Sequence, residues 1–153
     1  MKSVYIKIGI ILYIIGLPLW RVILRGSDRC YVALIYDKKV VLVKNWMARD
    51  TWRLPGGGVK KSESRAQAVV REVKEELRIV LNQSRLVKLG EGKMVVDNLG
   101  YHYTNYYYLM DSFPKVLPDN YEIIDFGLYA SIPEGSQPGL KTVFDDLARL
   151  KLL

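Results

Sequence analysis

Apolar residues follow different rhythms along this chain, and each rhythm predicts a different element. Residues 30–36 and 40–43 are nearly continuous runs of β-branched and aliphatic residues, interrupted by Asp37-Lys38-Lys39. Short apolar runs around a polar break predict a hairpin of two buried strands. Further on, Ala66, Val69, Val70, Val73 and Leu77 recur at intervals of three and four, the stripe of an amphipathic helix. Ser64 and Gln67 stand at capping-box spacing where that helix would begin. Its valines are weak helix formers, so packing rather than propensity has to hold it. On this reading the glutamates of the segment lie off the apolar stripe.

Beyond the helix, residues 85–89 and 93–96 read as short strands and residues 101–110 as a longer one, with Asp97-Asn98-Leu99-Gly100 as the turn. Residues 111–120 form a proline-containing loop, 122–129 another strand, and Ile132-Pro133-Glu134-Gly135 a break. Residues 140–150 predict a closing amphipathic helix with Val143, Phe144, Leu147 and Leu150 inward. Strands interspersed with two helices predict an α/β protein with a mixed sheet between helical layers.

The amino-terminal pattern is different in kind. Residues 8–20 (IGIILYIIGLPLW) carry no charge and lie between Lys7 and the pair Arg21 and Arg25. This run is shorter than the roughly 20 residues that cross a bilayer, although its apolar flanks and snorkelling by Lys7 and Arg21 extend it to about 21. A membrane anchor, spanning or interfacial, is the preferred reading of residues 1–25. The alternatives are a helix packed on the domain or a second subunit, and a cleaved signal peptide, which the Leu17-Pro18-Leu19-Trp20-Arg21 segment disfavours for want of small residues at a cleavage site. If the segment spans, Arg21, Arg25 and Arg29 outnumber Lys2 and Lys7 and keep the rest of the chain cytoplasmic. If it packs on the domain, the protein is expected to be cytoplasmic throughout.

The remaining residues, 26–153, fit one compact domain: the chain has 153 residues, half of them apolar. A net charge of +7 favours anionic partners without choosing among them. Cys30 is the only cysteine, which excludes an intramolecular disulfide and reads as a buried strand thiol. His102 reads as a strand-face residue.

Candidate chemistry is concentrated just after the glycine run Gly56-Gly57-Gly58. Glu72, Glu75 and Glu76 are spaced at three and four residues, so a helix sets their carboxylates side by side, where they repel unless a cation intervenes. A glycine turn lets backbone approach a metal or phosphate closely. Arg71, one turn before Glu75, can orient a carboxylate and limit that repulsion.

The full spacing, Gly57-x5-Glu63-x7-Arg71-Glu72-Val73-x-Glu75-Glu76, resembles the signature of the Nudix hydrolases, G-x5-E-x7-R-E-U-x-E-E-x-G-U. Every fixed position is met except the last glycine, where Arg78 stands, and Trp52-Arg53-Leu54-Pro55 resembles the approach to the signature. The resemblance implies a Nudix-like α/β/α sandwich and a pyrophosphohydrolase that uses Mg²⁺, with Mn²⁺ as a substitute. It implies that Glu72 binds metal or deprotonates water, that Glu75 and Glu76 are principal ligands, that Gly56 or Gly57 offers a carbonyl, and that Glu63 supports them from outside. Glu122, ahead of the penultimate strand, matches a further ligand. Arg71, Glu72 and Glu76 are thus the expected catalytic group. Specificity is expected from residues 44–53 and 101–118, with Arg53 and Tyr103 as candidate substrate contacts; the tyrosines could stack a base or simply pack a strand. The expected substrate is a small diphosphate such as a nucleoside diphosphate linked to another moiety, and nucleic acid is not an expected partner. Competing readings are a non-catalytic nucleotide- or RNA-binding module and a membrane-recruited sensor. An isomerase of prenyl diphosphates lacks residues placed for carbon protonation.

At Arg78 the resemblance raises a local question. A glycine there would take a left-handed turn after the helix; arginine either takes it at a cost of about 1 kcal/mol or ends the helix otherwise.

Overall fold

A computed structural model of the protein describes residues 27–45, 51–96, 99–118 and 122–153. The anchor expected at residues 1–25 lies outside the described residues, as do Asp97 and Asn98 of the expected turn, whose Leu99 and Gly100 instead open a strand. None of the described helices is long and apolar enough to cross a membrane.

The hairpin forms as expected, with β1 (Asp28–Tyr36) and β2 (Lys39–Asn45). Asp37 and Lys38 both have positive φ, 47° and 56°, the two-residue turn whose twist matches that of the strands it joins. Next come β3 (Trp52–Arg53), β4 (Gly56–Gly58), α1 (Arg65–Leu77), β5 (Val87–Val96), β6 (Leu99–Leu109), β7 (Ile123–Tyr129) and α2 (Gly139–Arg149).

All seven strands join one mixed sheet. The central path runs β3-β2-β1-β6-β5, with β4 paired to β1 and β7 to β2. β1 and β6 are parallel from Asp28↔His102 to Ile35↔Leu109, and the other pairs are antiparallel. Near the hairpin turn β1 pairs with β2, at Ile35↔Val40, but towards its start it pairs with β4, at Cys30↔Gly57. The two hairpin strands therefore splay, and the glycine strand occupies the gap, beneath α1.

Alternation along β1 and β2 divides the core in two. Cys30, Val32, Leu34, Val41 and Val43 pack with Ala68, Val69, Val73 and Leu77 of α1. Ala33, Ile35, Val40 and Leu42 pack with Leu140, Val143, Phe144 and Leu147 of α2. The result is the expected sandwich, with each fully buried aliphatic side chain contributing about 1.5–3 kcal/mol of transfer free energy.

Ser64 caps α1 through the expected capping box with Gln67. At its other end Arg78 takes the left-handed conformation, φ 59° and ψ 24°, and donates its N–H to Lys74 O. Three expectations need correction. Residues 87–96 form one strand rather than two: a bulge between Lys88 and Gly90 interrupts the side-chain pattern while the ladder with β6 continues, and Arg85 belongs to a 3-10 turn, Gln83–Arg85. In α1 it is Ala68, not Ala66, that is fully buried, and Glu76 joins the buried face at 1% exposure. Leu150 is 52% exposed, because α2 stops at Arg149 and Leu152 and Leu153 fold back on the core instead.

Candidate metal and diphosphate site

The splay between β1 and β2 places Gly56 and Gly57 directly under the carboxylate face of α1. Gly56 has φ 137°, and a Cβ there would come within 2.2 Å of Cys30 O. At Gly57 a Cβ would fall 2.6 Å from Glu72 Oε1. Only a bare backbone lets Gly56 pass β1 and Gly57 lie against a carboxylate.

Arg71 organises the outer part of this site. Its Nε and Nη2 grip both oxygens of Glu63, with Nε to Oε2 at 3.0 Å. Nη1 donates to Glu72 Oε1 at 2.8 Å and Glu75 Oε2 at 3.1 Å, and Nη2 also donates to Gly58 O at 2.9 Å. One guanidinium thus ties three carboxylates to the glycine strand, well beyond the Arg71–Glu75 contact that spacing suggests. Arg71 beside it holds the Glu63 carboxyl down at about 2, and Lys60 N–H adds a bond at 2.8 Å. Burial raises the pKa of Glu72, against the pull of Arg71.

Arg53 organises the inner part. Glu76 is enclosed, with Oε1 accepting from Arg53 Nη2 at 3.0 Å and Oε2 from Gly56 N–H at 2.9 Å. Arg53 Nη2 also lies 3.8 Å from Glu122 Oε1, which accepts from Asn45 Nδ2 at 2.6 Å. Burial pushes the Glu76 carboxyl up to about 7, with Arg53 and the Gly56 N–H opposing and Glu122 and Glu72 adding to it. Cys30, beneath Gly57, is pushed by burial up to about 12 and remains a thiol, in keeping with a buried strand cysteine.

Glu63, Glu72, Glu75, Glu76 and Glu122 therefore share a neighbourhood with two guanidinium groups, which leaves an uncompensated negative field. Among the described residues no three acidic, histidine or cysteine side chains converge closely enough to enclose an ion as they stand. Arg71 draws Glu75 outward and Arg53 draws Glu76 inward. The donors fit a hard divalent cation nonetheless: they are all oxygens, and the bare Gly57 backbone faces the Glu72 carboxylate. Relative to their expected roles, the structure gathers Glu63, Arg71, Glu72 and Glu75 in one network and Gly56, Arg53, Glu76 and Glu122 in another.

On the opposite face of the sheet, a cleft of about 90 Å³ lies between the strands and the start of α2. Tyr31, Tyr101, Tyr103, Asn105, Gln137 and Thr142 are among its lining residues, and none of its lining residues is charged. Tyr103 lies in this cleft, as a substrate-contact candidate would, whereas Arg53 is turned to Glu76; His102 is exposed. Gln137 and Asn45 were not foreseen. Gln137 sits in an irregular segment before α2 with no periodicity to mark it, and the signal for Asn45 was a polar residue ending an otherwise apolar strand.

A glycine strand splayed into a mixed sheet under a glutamate-bearing helix is the framework of the site, and residues 27–122 match the NUDIX domain. The chain belongs to this family, whose hydrolases typically use a divalent metal. Solved structures agree on the fold. The MutT NUDIX hydrolase from Burkholderia pseudomallei superposes with a TM-score of 0.73 at 22% identity, over 80% of this chain and 98% of that one. The NUDIX hydrolase from Nitrosomonas europaea gives 0.69 at 18% identity, over 84% and 92%. A bifunctional NMN adenylyltransferase/ADP ribose pyrophosphatase from Francisella tularensis, complexed with AMP and a Mn ion, gives 0.66 at 19% identity, over 90% of this chain and 46% of that one. No curated protein matches the chain.

Proposed function

We propose that this protein is a Mg²⁺-dependent pyrophosphohydrolase that cleaves a nucleoside diphosphate linked to another moiety, with Mn²⁺ as a substitute cofactor. The observation that carries this reading is the pair of networks in which Arg71 and Arg53 hold five carboxylates, with Glu72 and Glu76 against the Gly56–Gly58 strand and a neutral aromatic cleft across the sheet. The AMP and Mn ion of the Francisella tularensis complex are compatible with it.

Glu72, Glu75, Glu76, Glu122 and a carbonyl of Gly56 or Gly57 are the groups that would hold the metal. A bound divalent cation supplies charge neutralisation of the diphosphate and polarisation at phosphorus. Glu72, held by Arg71 against Gly57, is the base we assign to the attacking water. Arg71 fixes the rotamers of Glu63, Glu72 and Glu75. Tyr103, Asn105 and Gln137 offer an aromatic face and amide groups to the nucleobase.

Full-length protein is incubated with Mg²⁺ and nucleoside triphosphates, nucleotide sugars and dinucleoside polyphosphates, with Glu76→Gln as the control. Release of two phosphate-bearing products, lost in the variant, is the expected result. Tight binding without turnover would replace the hydrolase by a binding module. For residues 1–25 we retain a membrane anchor on the strength of the uncharged run at 8–20, with the catalytic domain on the cytoplasmic side. Full-length protein that fractionates as soluble, as truncated protein does, overturns it.

A further inference from the structure

We infer that Arg53 is a positioning residue for metal binding, the link that holds Glu76 of α1 and Glu122 at the entry to β7 in register with one another. The inference rests on the metal site proposed above.

Arg53 lies in β3, outside the helical signature, and only 9% of it is exposed. A buried guanidinium is costly unless charge compensates it; here Nη2 is directed to two carboxylates on separate elements, while Nε has no hydrogen-bond partner among the described residues. Nη2 bonds Glu76 Oε1 at 3.0 Å and stands 3.8 Å from Glu122 Oε1. Each carboxylate has a second fixed contact: Gly56 N–H on Glu76 Oε2, and Asn45 Nδ2 on Glu122 Oε1. The chain of contacts Gly56–Glu76–Arg53–Glu122–Asn45 thus spans β4, α1, β3, the start of β7 and β2.

This arrangement leaves Glu76 competent as a ligand. A carboxylate oxygen has two lone pairs, and each Glu76 oxygen has one bond to protein in this network. Arg53 therefore sets the direction of the Glu76 carboxylate without saturating it, as a hydrogen-bonding partner behind a ligand does. Glu76 Oε1 and Glu122 Oε1 meet at the same Nη2, so the position of Glu122 relative to α1 depends on Arg53 as well. Arg71 cannot substitute, because its donors go to Glu63, Glu72, Glu75 and Gly58 O. Repulsion between Arg53 and a cation works against binding, so the net sign of the effect is itself a test: orientation raises affinity, and bare charge lowers it.

The experiment titrates Mn²⁺ into full-length wild type, Arg53→Met and Arg53→Lys at constant pH, following free Mn²⁺ by its electron paramagnetic resonance signal and the fold by circular dichroism. Arg53→Met keeps the aliphatic bulk and removes the donors, and is expected to weaken Mn²⁺ about tenfold to a hundredfold, in the range typical of lost outer-shell partners. Arg53→Lys, with charge but no fork, is expected to fall between. Should Arg53→Met fail to fold, a loss of about threefold or more in Arg53→Lys carries the same conclusion. Unchanged or tighter Mn²⁺ binding in a folded variant overturns the role of Arg53 while leaving the metal site standing. Wild type that binds no Mn²⁺ overturns the metal site, and the inference with it. With a substrate in hand, the half-saturating Mg²⁺ concentration should rise in Arg53→Lys while KM for substrate at saturating Mg²⁺ stays put, a split that a folding defect does not produce.

Discussion

The two faces of the sheet are built from the same strands but do opposite things with polarity. Towards α1, the site is built on charged side chains tied in ion pairs: Arg71 with Glu63, Glu72 and Glu75, and Arg53 with Glu76. Towards α2, the cleft is lined by tyrosines, amides and a hydroxyl, without a charge. Because strand side chains alternate, one strand serves both: on β1, Cys30 lies beneath Gly57 on the charged side while Tyr31 lines the neutral cleft. On the function proposed above, turnover belongs to the α1 face, where β4 fills the splay, and recognition of a neutral aromatic group to the α2 face. Substitutions should sort accordingly, with the α1 face governing turnover and the α2 face governing affinity.

The largest effect expected from this division is on the α1 face. Glu72→Gln and Glu76→Gln each remove a negative charge and should lower kcat by about a thousandfold, as does loss of a preorganised group that stabilises developing charge. KM for substrate should change little at saturating Mg²⁺. Steady-state kinetics on the best substrate of the panel decides it. A change confined to KM would break the division, since it would make these carboxylates binding groups.

The pH dependence of stability sharpens the same face. Glu76 is pushed up to about 7 from an ordinary 4.5, so the folded, metal-free chain holds a proton that the unfolded chain releases earlier. The contribution is fully present below pH 4.5 and is lost as pH rises to 7, amounting to about 3 kcal/mol across that window. Glu63, held down at about 2, acts in the other direction, and its contribution is lost as pH falls from 4.5 towards 2. Urea midpoints in the presence of a chelator should therefore decline from pH 5 to pH 7, and Glu76→Gln should flatten the decline. A rise would show Glu76 ionised by its pair with Arg53 throughout.

The α1 face was also the more legible one in sequence. The spacing of Gly57, Glu63, Arg71, Glu72, Glu75 and Glu76 is local, and a helix with a capping box converts it directly into position. What sequence spacing misjudged was depth. Glu76 follows Val73 by three residues and Val69 by seven, which places it on the buried face, whereas the apolar-stripe reading sets all the glutamates off that face. Its burial depends on Arg53, a partner on β3 whose proximity follows only from the tertiary fold. The neutral cleft shows the same limit more strongly. Tyr103 was legible as one of a run of aromatics, yet the cleft joins β1, β5, β6 and the segment before α2, and Gln137 becomes relevant only once that segment lies beside Tyr103. The bulged strand β5 was divided in the sequence reading because its glycines interrupt the apolar pattern, although the β6 ladder passes through them.

A smaller effect is expected on the α2 face. Tyr103→Ala removes an aromatic wall of the cleft and should raise KM about tenfold for a nucleotide substrate, in the range of a lost base–aromatic contact, with kcat within about twofold. The same variant should leave Mn²⁺ affinity unchanged. If kcat falls instead, the cleft positions the scissile bond, and the two faces act as one site.

The smallest effect lies at the end of α1 and belongs to neither face. Arg78 adopts φ 59°, a conformation that a side chain disfavours and glycine does not, and its side chain does not enter either carboxylate network. The backbone N–H still caps the helix on Lys74 O, so the cap itself survives substitution. Arg78→Gly removes the steric cost of the left-handed turn while adding freedom to the unfolded chain. Since relief of about 1 kcal/mol meets an opposing entropy of about 0.4–1 kcal/mol, the net gain should be no more than about half a kcal/mol. Chemical denaturation reads it directly, and kinetics should be unaltered because Glu75 and Glu76 keep their partners. Loss of stability would mean that the Arg78 side chain contributes more than its backbone geometry costs. A change in metal affinity would mean that the helix end, and with it the spacing of the last two glutamates, is set by the residue at this turn.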